Sequence, residues 1–407
     1  MRVLITNNSL AEHAGTELYV RDVAFALRRR GHDPIAYSSR LGAVAEELVA
    51  GGVPVLDDLS MLEMPPDLIH AHHHMDAMVA MLRFPRVPAV LFCHGSMPWE
   101  EAPVFFPSIL HFVAIDDACH DRLTSAGVAP DAITTLRTFV DLHRFPLREQ
   151  CAPEPRRALV FSNYAAPGPG LELIRVACAE AGITEVDVIG HGMGTAVAHP
   201  EEILQRYDVV FAKGRAAHEA AATGAAVIVS DYSRFAGLLT SDVYEVWRSL
   251  NFGVRTLVYS LEQSALVAEI RRYQASDVRR VTERLRREAD LETSMDRLMG
   301  LYERIHSGRD RLALLSEGVF TAAASVYLQG LADQLKSPDA LALRIREEMS
   351  ALPNPLLTDV LMKASMSRLE DKIRRLTTSF SWRVTAPLRL LRRRLVDPFR
   401  PEGPRGD

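Results

Sequence analysis

Apolar residues first gather at Val3, Leu4 and Ile5, and the run ends in Thr6, Asn7 and Asn8, as a buried strand does when it opens onto a loop. After Gly15 the spacing turns helical. Leu18, Val20, Val23, Ala24 and Leu27 make an apolar face over residues 16–30, and Gly31 behind three arginines has the chemistry of a helix C-terminus. Strand-like runs follow at residues 35–38, 53–56, 67–71, 89–93 and 111–115, with a helix over 44–50. Strands alternating with helices predict a parallel sheet covered on both faces, with ligands beyond the carboxyl ends of the strands.

The alternation stops over residues 145–157, where Pro146, Pro153 and Pro155 stand among mixed charges like an interdomain linker. It then begins again. Strands are expected at residues 159–162, 186–189, 208–211 and 226–230, and helices at 171–181, 215–223 and 262–273. Helical spacing continues over 277–305 and 309–375. A chain of 407 residues exceeds one ordinary core. The expected organisation is two Rossmann-like α/β lobes, residues 1–150 and 151–305, facing each other across a ligand cleft. A helical extension over 306–378 and a basic amphipathic tail over 379–407, with a disordered Pro/Gly-rich end, complete the chain.

Composition narrows the class of function. Hydrophobic residues are 48% and charged residues 24% of the chain, and no run approaches the roughly 18 apolar residues of a membrane span. The start, MRVLITNN, already reads as a strand rather than a secretory signal, so a cytoplasmic location is expected. Cys93, Cys119, Cys151 and Cys178 are widely spaced with no CxxC, which suits reduced structural thiols. A net charge of −5 provides no global basic field for nucleic acid.

The stretch YDVVFAKGRAAHEAAATGAAVIVSD is the richest in chemistry. A strand leads into a loop with Lys213, Gly214 and Arg215, then into a small-residue helix carrying His218 and Glu219, which ends at Gly224. Lys213 is the only lysine in the two lobes. Backbone amides at that helix start, with Lys213 and Arg215 beside them, suit a diphosphate, and Glu219 one turn inside suits ribose or sugar hydroxyls. The plain alternative is two solvated cations balanced by Glu219. Gly15, Thr16 and Glu17 form a second loop-to-helix entry, suited to phosphate or acceptor; the alternative there is an ordinary helix start with Thr16 as cap.

In their order and spacing, these stretches resemble the retaining glycosyltransferases of family 4, which have the GT-B fold. EAAATGAAVIVSD at residues 219–231 is similar to the second half of the family's acidic E-x7-E motif, whose first glutamate falls at Phe211. HAGTELYVRDVAFALRRRGHD at 13–33, DLIHAH at 67–72, His94-Gly95 at a strand end and FVDLHRFPL at 139–147 follow the family's order. The resemblance covers about the first 300 residues. It implies a second lobe that holds a nucleotide-diphosphate sugar through Ser162, Asn163, Gly190, Lys213, Gly214, Arg215 and Glu219. It also implies a first lobe that presents the acceptor near His13, Gly15, Thr16 and Glu17, with His94 close to the donor sugar. His94 and Glu219 are the catalytic candidates.

The family's usual basic pair after the first strand of the second lobe has no counterpart in FSNYAAPGPGLELI, residues 161–174, so Lys213 and Arg215 are the expected substitutes. His70, His72, His73 and His74 look like a metal tract. Alternation along a strand splits their side chains between faces, so no metal site is expected, and the family characteristically needs none for catalysis.

In the tail, Lys372, Arg374, Arg375, Arg383, Arg389, Arg392, Arg393 and Arg394 are interleaved with Phe380, Trp382, Val384, Leu388, Leu390, Leu391 and Leu395. This pattern suits residues 372–395 to an anionic membrane surface; docking on protein is the competing reading. The leading expectation is a metal-independent, cofactor-free, retaining glycosyltransferase at the inner face of the plasma membrane. Its expected acceptor is a glycan or glycolipid in bacterial surface polysaccharide assembly. The alternatives are a catalytically degenerate binding partner and a sugar-nucleotide epimerase.

Overall fold

In the computed structural model, which describes residues 1–231 and 233–336, two open sheets are wrapped by helices. In chain order the first part runs β1 (Arg2–Thr6), α1 (Gly15–Arg29), β2 (Asp33–Tyr37), α2 (Ala43–Ala50), β3 (Val55–Leu56), β4 (Leu68–His72), α3 (His74–Arg83), β5 (Ala89–Cys93), β6 (Ile109–Ala114), α4 (Asp117–Ser125) and β7 (Ile133–Thr135). The second part runs β8 (Arg157–Phe161), α5 (Pro169–Glu180), β9 (Glu185–Ile189), β10 (Val209–Ala212), α6 (Gly214–Ala222), β11 (Ala226–Ser230), β12 (Arg234–Leu238), α7 (Tyr244–Ser249), β13 (Tyr259–Ser260), α8 (Gln263–Arg271) and α9 (Ala275–Glu288). Three helices follow: α10 (Leu291–Ser307), α11 (Arg309–Ala313) and α12 (Glu317–Lys336).

The first sheet has the order β3-β2-β1-β4-β5-β6-β7, and every pairing in it is parallel. Burial on both faces explains why its strands read as nearly continuous apolar runs. The second sheet has the order β13-β12-β11-β10-β8-β9. Its β8 to β11 are parallel as expected, but β12 and β13 add as an antiparallel edge, so this sheet is mixed. In each sheet the strand order reverses next to the first strand of the lobe, between β1 and β4 and between β8 and β10. Loops leaving those carboxyl ends therefore splay apart and open a crevice.

Local signals account for several boundaries. Asp116 caps α4 by accepting from the Cys119 amide at 2.7 Å, and Asp290 caps α10 by accepting from the Thr293 amide at 3.1 Å. Helix α3 is absent from the sequence reading because its first residues belong to the histidine tract. Its Ala77, Met78, Ala80 and Met81 are nevertheless buried against the first sheet.

One expected boundary differs in the structure. The sequence reading places residues 291–305 in the second lobe, whereas Leu291, Met295, Leu298, Leu301, Tyr302 and Ile305 of α10 bury themselves in the first lobe's core beside Val20, Val23 and Leu27. The chain thus crosses between lobes twice. At the crossing, Val140 donates its amide to the Ala289 carbonyl at 2.7 Å and accepts from the Leu291 amide at 3.0 Å. Beyond α10, Phe320 on α12 packs into the first lobe's other apolar layer. The rest of the expected helical extension, from residue 337, and the basic tail lie outside the described residues. Among the described residues no single helix is long and apolar enough to cross a membrane.

Because α10 belongs to the first lobe's core, Leu298→Ala should cost about 2–5 kcal/mol in urea unfolding, as large-to-small changes do in packed cores. Hydrogen exchange should locate the loss in β1 and α1 as well as α10.

Candidate active site

The cleft is built from loops that follow β1, β8, β9 and β10, together with the starts of α1 and α6. Helix α1 begins at Gly15 behind Ala14, with no side-chain cap, so Thr16 is not the cap that the sequence suggests. Its hydroxyl instead donates to Glu17 Oε2 at 3.0 Å. Helix α6 begins at Gly214 behind Lys213, also without a side-chain cap. Gly214 has φ +56°, a conformation that favours glycine, and its amide is occupied by the Phe252 carbonyl at 2.9 Å. Two helix N-termini thus face one region, where their dipoles favour negative charge.

Between them lies a cavity of about 120 Å³ lined by His13, Gly15, Arg21, Arg144, Ser162, Asn163, Arg215 and Glu219, among others. Six of these, all but Arg21 and Arg144, are residues the sequence singles out. An inter-lobe hydrogen bond, from Asn163 Nδ2 to the His13 carbonyl at 3.1 Å, closes one side.

The polar wall is an ion-pair network rather than a row of free cations. Arg215 bonds Glu219 Oε1 through Nε at 2.7 Å and reaches across the cleft to Asp22 on α1. Asp22 is also bonded by Arg21 at 3.0 Å and approached by Arg144 at 3.6 Å. Arg21 continues to Glu47 at 2.9 Å, where His13 is also bound, and Arg144 continues to Glu201 at 2.8 Å. Asp22 and Glu219 are each only 3% exposed. Burial works against the Asp22 charge, but Arg215 and Arg21 outweigh it and hold the carboxyl below its usual range. For Glu219, burial prevails over the pull of Arg215 and pushes the carboxyl up. Removing one member of such a buried set costs about 3–5 kcal/mol, since it leaves an uncompensated charge.

Other expected donor and acceptor residues stand apart from the cavity. Lys213 pairs with Asp231 at 3.2 Å and lies over the Tyr164 ring, so its charge is already matched. Gly190 has a packing role: a Cβ there would stand 1.9 Å from the Ser162 carbonyl oxygen, so glycine lets the loop after β9 lie on the loop after β8. Glu17 is buried behind Thr16, and burial raises its carboxyl. Phe211, in the position of the missing acidic residue, is 1% exposed and packs into the second lobe's core with Val160 and Leu171.

His94 does not line the cavity; the Tyr19 ring meets it edge-on at 4.7 Å. It belongs to a column of rings on one face of the first sheet: His94 stacks on His72 at 4.6 Å, His72 on His70 at 4.6 Å, and His70 on Phe92 at 3.9 Å. His70 and His72 share a face because they are two apart on β4. That strand ends there, so His73 and His74 leave it rather than alternate along it. His73 pairs with Glu101 at 3.4 Å, while His74 bonds the Tyr327 hydroxyl at 2.9 Å. The imidazoles stack instead of converging, and among the described residues no group of three or more His, Cys, Asp or Glu is placed to hold a metal ion. In the second lobe, His218 donates from Nδ1 to the Gly214 carbonyl and accepts from Arg248, which reaches the Thr138 carbonyl in the crossing segment.

Arg21, Asp22, Glu47, Arg144, Glu201 and Arg248 are polar residues of this network and its surroundings that the sequence alone does not single out. The one signal for them is the placement of Arg21-Asp22 in the otherwise apolar run LYVRDVAFAL of α1 and of Arg144 inside FVDLHRFPL.

Residues 13–144 match the model of Glycosyltransferase Family 4. By structure the chain is similar to a glycosyltransferase from Rickettsia africae ESF-5, with TM-score 0.55 and 13% identity over 75% of this chain and 98% of that one. It is also similar to Anabaena Alr3699/HepE in complex with UDP, with TM-score 0.53 and 15% identity over 75% of this chain and 100% of that one. No curated protein matches the sequence.

Burial makes the histidines a pH liability. It pushes His94 down to about 4 and lowers His70, His72 and His218 well below the ordinary value of 6.5. A folded value below the unfolded one means that the unfolded chain takes up protons first as pH falls. Stability is therefore intact above 6.5 and declines from there toward 4, by about 1.4 kcal/mol per pH unit for each histidine fully titrating in the unfolded chain. His73, raised mainly by Glu101 against its burial, works in the opposite direction. Urea midpoints between pH 7 and pH 4.5 should fall more steeply than one histidine allows; a flat profile would contradict the neutral stack.

Proposed function

Starting from a GT-B fold whose first lobe is like that of family 4 glycosyltransferases, we propose that the protein transfers a sugar from a nucleotide-diphosphate donor to a glycan or lipid-linked acceptor. The observation that supports this most is the meeting of Arg215 and Glu219 from the second lobe with His13 and Gly15 from the first around one cavity. In this reading Glu219 holds donor hydroxyls, Arg215 and the helix amides take the growing charge on the diphosphate, and the first lobe presents the acceptor. For a retaining outcome, the bond from the sugar's anomeric carbon to the diphosphate breaks as the acceptor oxygen bonds to that carbon on the same face. The departing diphosphate receives the hydroxyl proton, and stabilisation of its charge supplies the catalysis. No metal or organic cofactor enters this scheme. The UDP in the Anabaena complex makes uridine nucleotides the first donors to try.

A binding protein without turnover is the second reading. It is favoured by Phe211, which buries an aromatic ring where the family pattern has an acid, and by the absence of Lys and Arg from residues 161–174.

A thermal-shift screen against nucleotide sugars should find a ligand that raises the melting temperature; at 100 times its dissociation constant the gain is about 2.7 kcal/mol. Glu219→Ala should abolish transfer and lower the urea midpoint, while the circular dichroism spectrum without denaturant stays that of the native fold. Undiminished turnover would remove Glu219 from the site, and tight nucleotide binding with no turnover by the native chain would favour the second reading.

For the tail we propose peripheral attachment to an anionic membrane surface on the cytoplasmic side. Deleting residues 379–407 should lower sedimentation with anionic liposomes while leaving soluble activity in place; undiminished binding would refute the attachment.

A further inference from the structure

The geometry points to an anion socket formed by Arg21, Arg144 and Arg215, which takes a diphosphate in exchange for the internal carboxylate Asp22. The three arginines come from three separate segments: helix α1, the crossing segment after β7, and the start of α6. All three line the cleft cavity, whereas Asp22 is not part of its lining. Their guanidinium groups meet on Asp22, with Arg21 Nη2 at 3.0 Å, Arg144 Nη1 at 3.6 Å and Arg215 in direct contact. A guanidinium fork fits a carboxylate and a phosphate equally well, so the same groups serve either anion.

The surroundings explain why exchange, rather than simple addition, is required. Three arginines are matched here by Asp22, Glu47, Glu201 and Glu219, which leaves no surplus positive charge for a diphosphate. Lys213 is committed to Asp231, and residues 161–174 contain no basic side chain. A diphosphate is therefore neutralised only if the arginines turn from their carboxylates toward the cavity. At about 120 Å³ that cavity is small beside the 300–1,000 Å³ or so of sites for drug-sized ligands. Because Arg21 and Arg215 lie on opposite lobes, an anion between them replaces the bond that now joins those lobes. Asp22 thus acts as a built-in competitor that sets how tightly the anion binds.

The source of the diphosphate rests on the donor reading above, but the socket itself is tested with inorganic pyrophosphate. Isothermal titration should show weak, salt-sensitive binding to the native chain and binding at least tenfold tighter to Asp22→Asn. Arg215→Gln should bind at least tenfold more weakly than the native chain. If Asp22→Asn does not fold, Glu201→Gln, which frees Arg144 at a more exposed position, should shift affinity in the same direction by severalfold. Folded Asp22→Asn and Glu201→Gln variants that bind pyrophosphate no more tightly than the native chain, or an Arg215→Gln variant that binds it as tightly, would overturn the socket. If the variants tighten pyrophosphate binding but no nucleoside diphosphate binds better than pyrophosphate, the socket stands and the nucleotide-donor reading fails.

Discussion

The architecture depends on the paired crossing at Val140. There the outgoing chain and the returning chain share backbone hydrogen bonds, with Val140 bonded to both Ala289 and Leu291. This pairing fixes where the second lobe starts and stops relative to the first, and it delivers α10 into the first lobe's core. Backbone groups joined in this way hold the outgoing and returning chain side by side at one point. The carboxyl ends of β1, β8 and β10 consequently look into the same space.

What occupies that space is mostly charge held by countercharge. Arg215, Asp22, Arg21 and Arg144 are largely withdrawn from water, where an unpaired ion is costly and a paired one is strongly oriented. The arrangement keeps the lobes together through bonds that an anionic ligand is chemically able to replace. Arg248 ties the second lobe to Thr138 in a similar way, but through a neutral carbonyl and a neutral His218, and so adds rigidity without competing for anions.

Much of the scaffold was legible because it is local. The run at Val3 to Ile5, the helical spacing after Gly15 and the stretch from Lys213 to Asp231 each announce a strand, a helix or a loop within a few residues. Glu219, Arg215, Ser162 and Asn163, which the family resemblance assigns to the donor, line one cavity with His13 and Gly15, in loops where the switch-point rule for open α/β sheets places ligands. Asp22 and Arg144 were not legible as partners of Arg215, because nothing in their neighbourhoods states which distant residue they face. The antiparallel β12 and the membership of α10 in the first lobe's core escaped for the same reason, as both are decided by tertiary packing. At Gly190, close approach to Ser162 is a steric demand that local sequence does not announce, and the histidine tract hides a helix start.

The double crossing also bears on how such a protein diversifies. Since the first lobe's core is completed by α10, the second lobe is topologically an insertion, and residues 141–289 interrupt one folding unit rather than follow it. Recombination that swaps a second lobe intact must therefore join at two points, on either side of the Val140 pairing, and a single exchange at the first crossing would import a foreign α10 into the native core. Chimeras joined at one point should for that reason be poorer folders than chimeras joined at two.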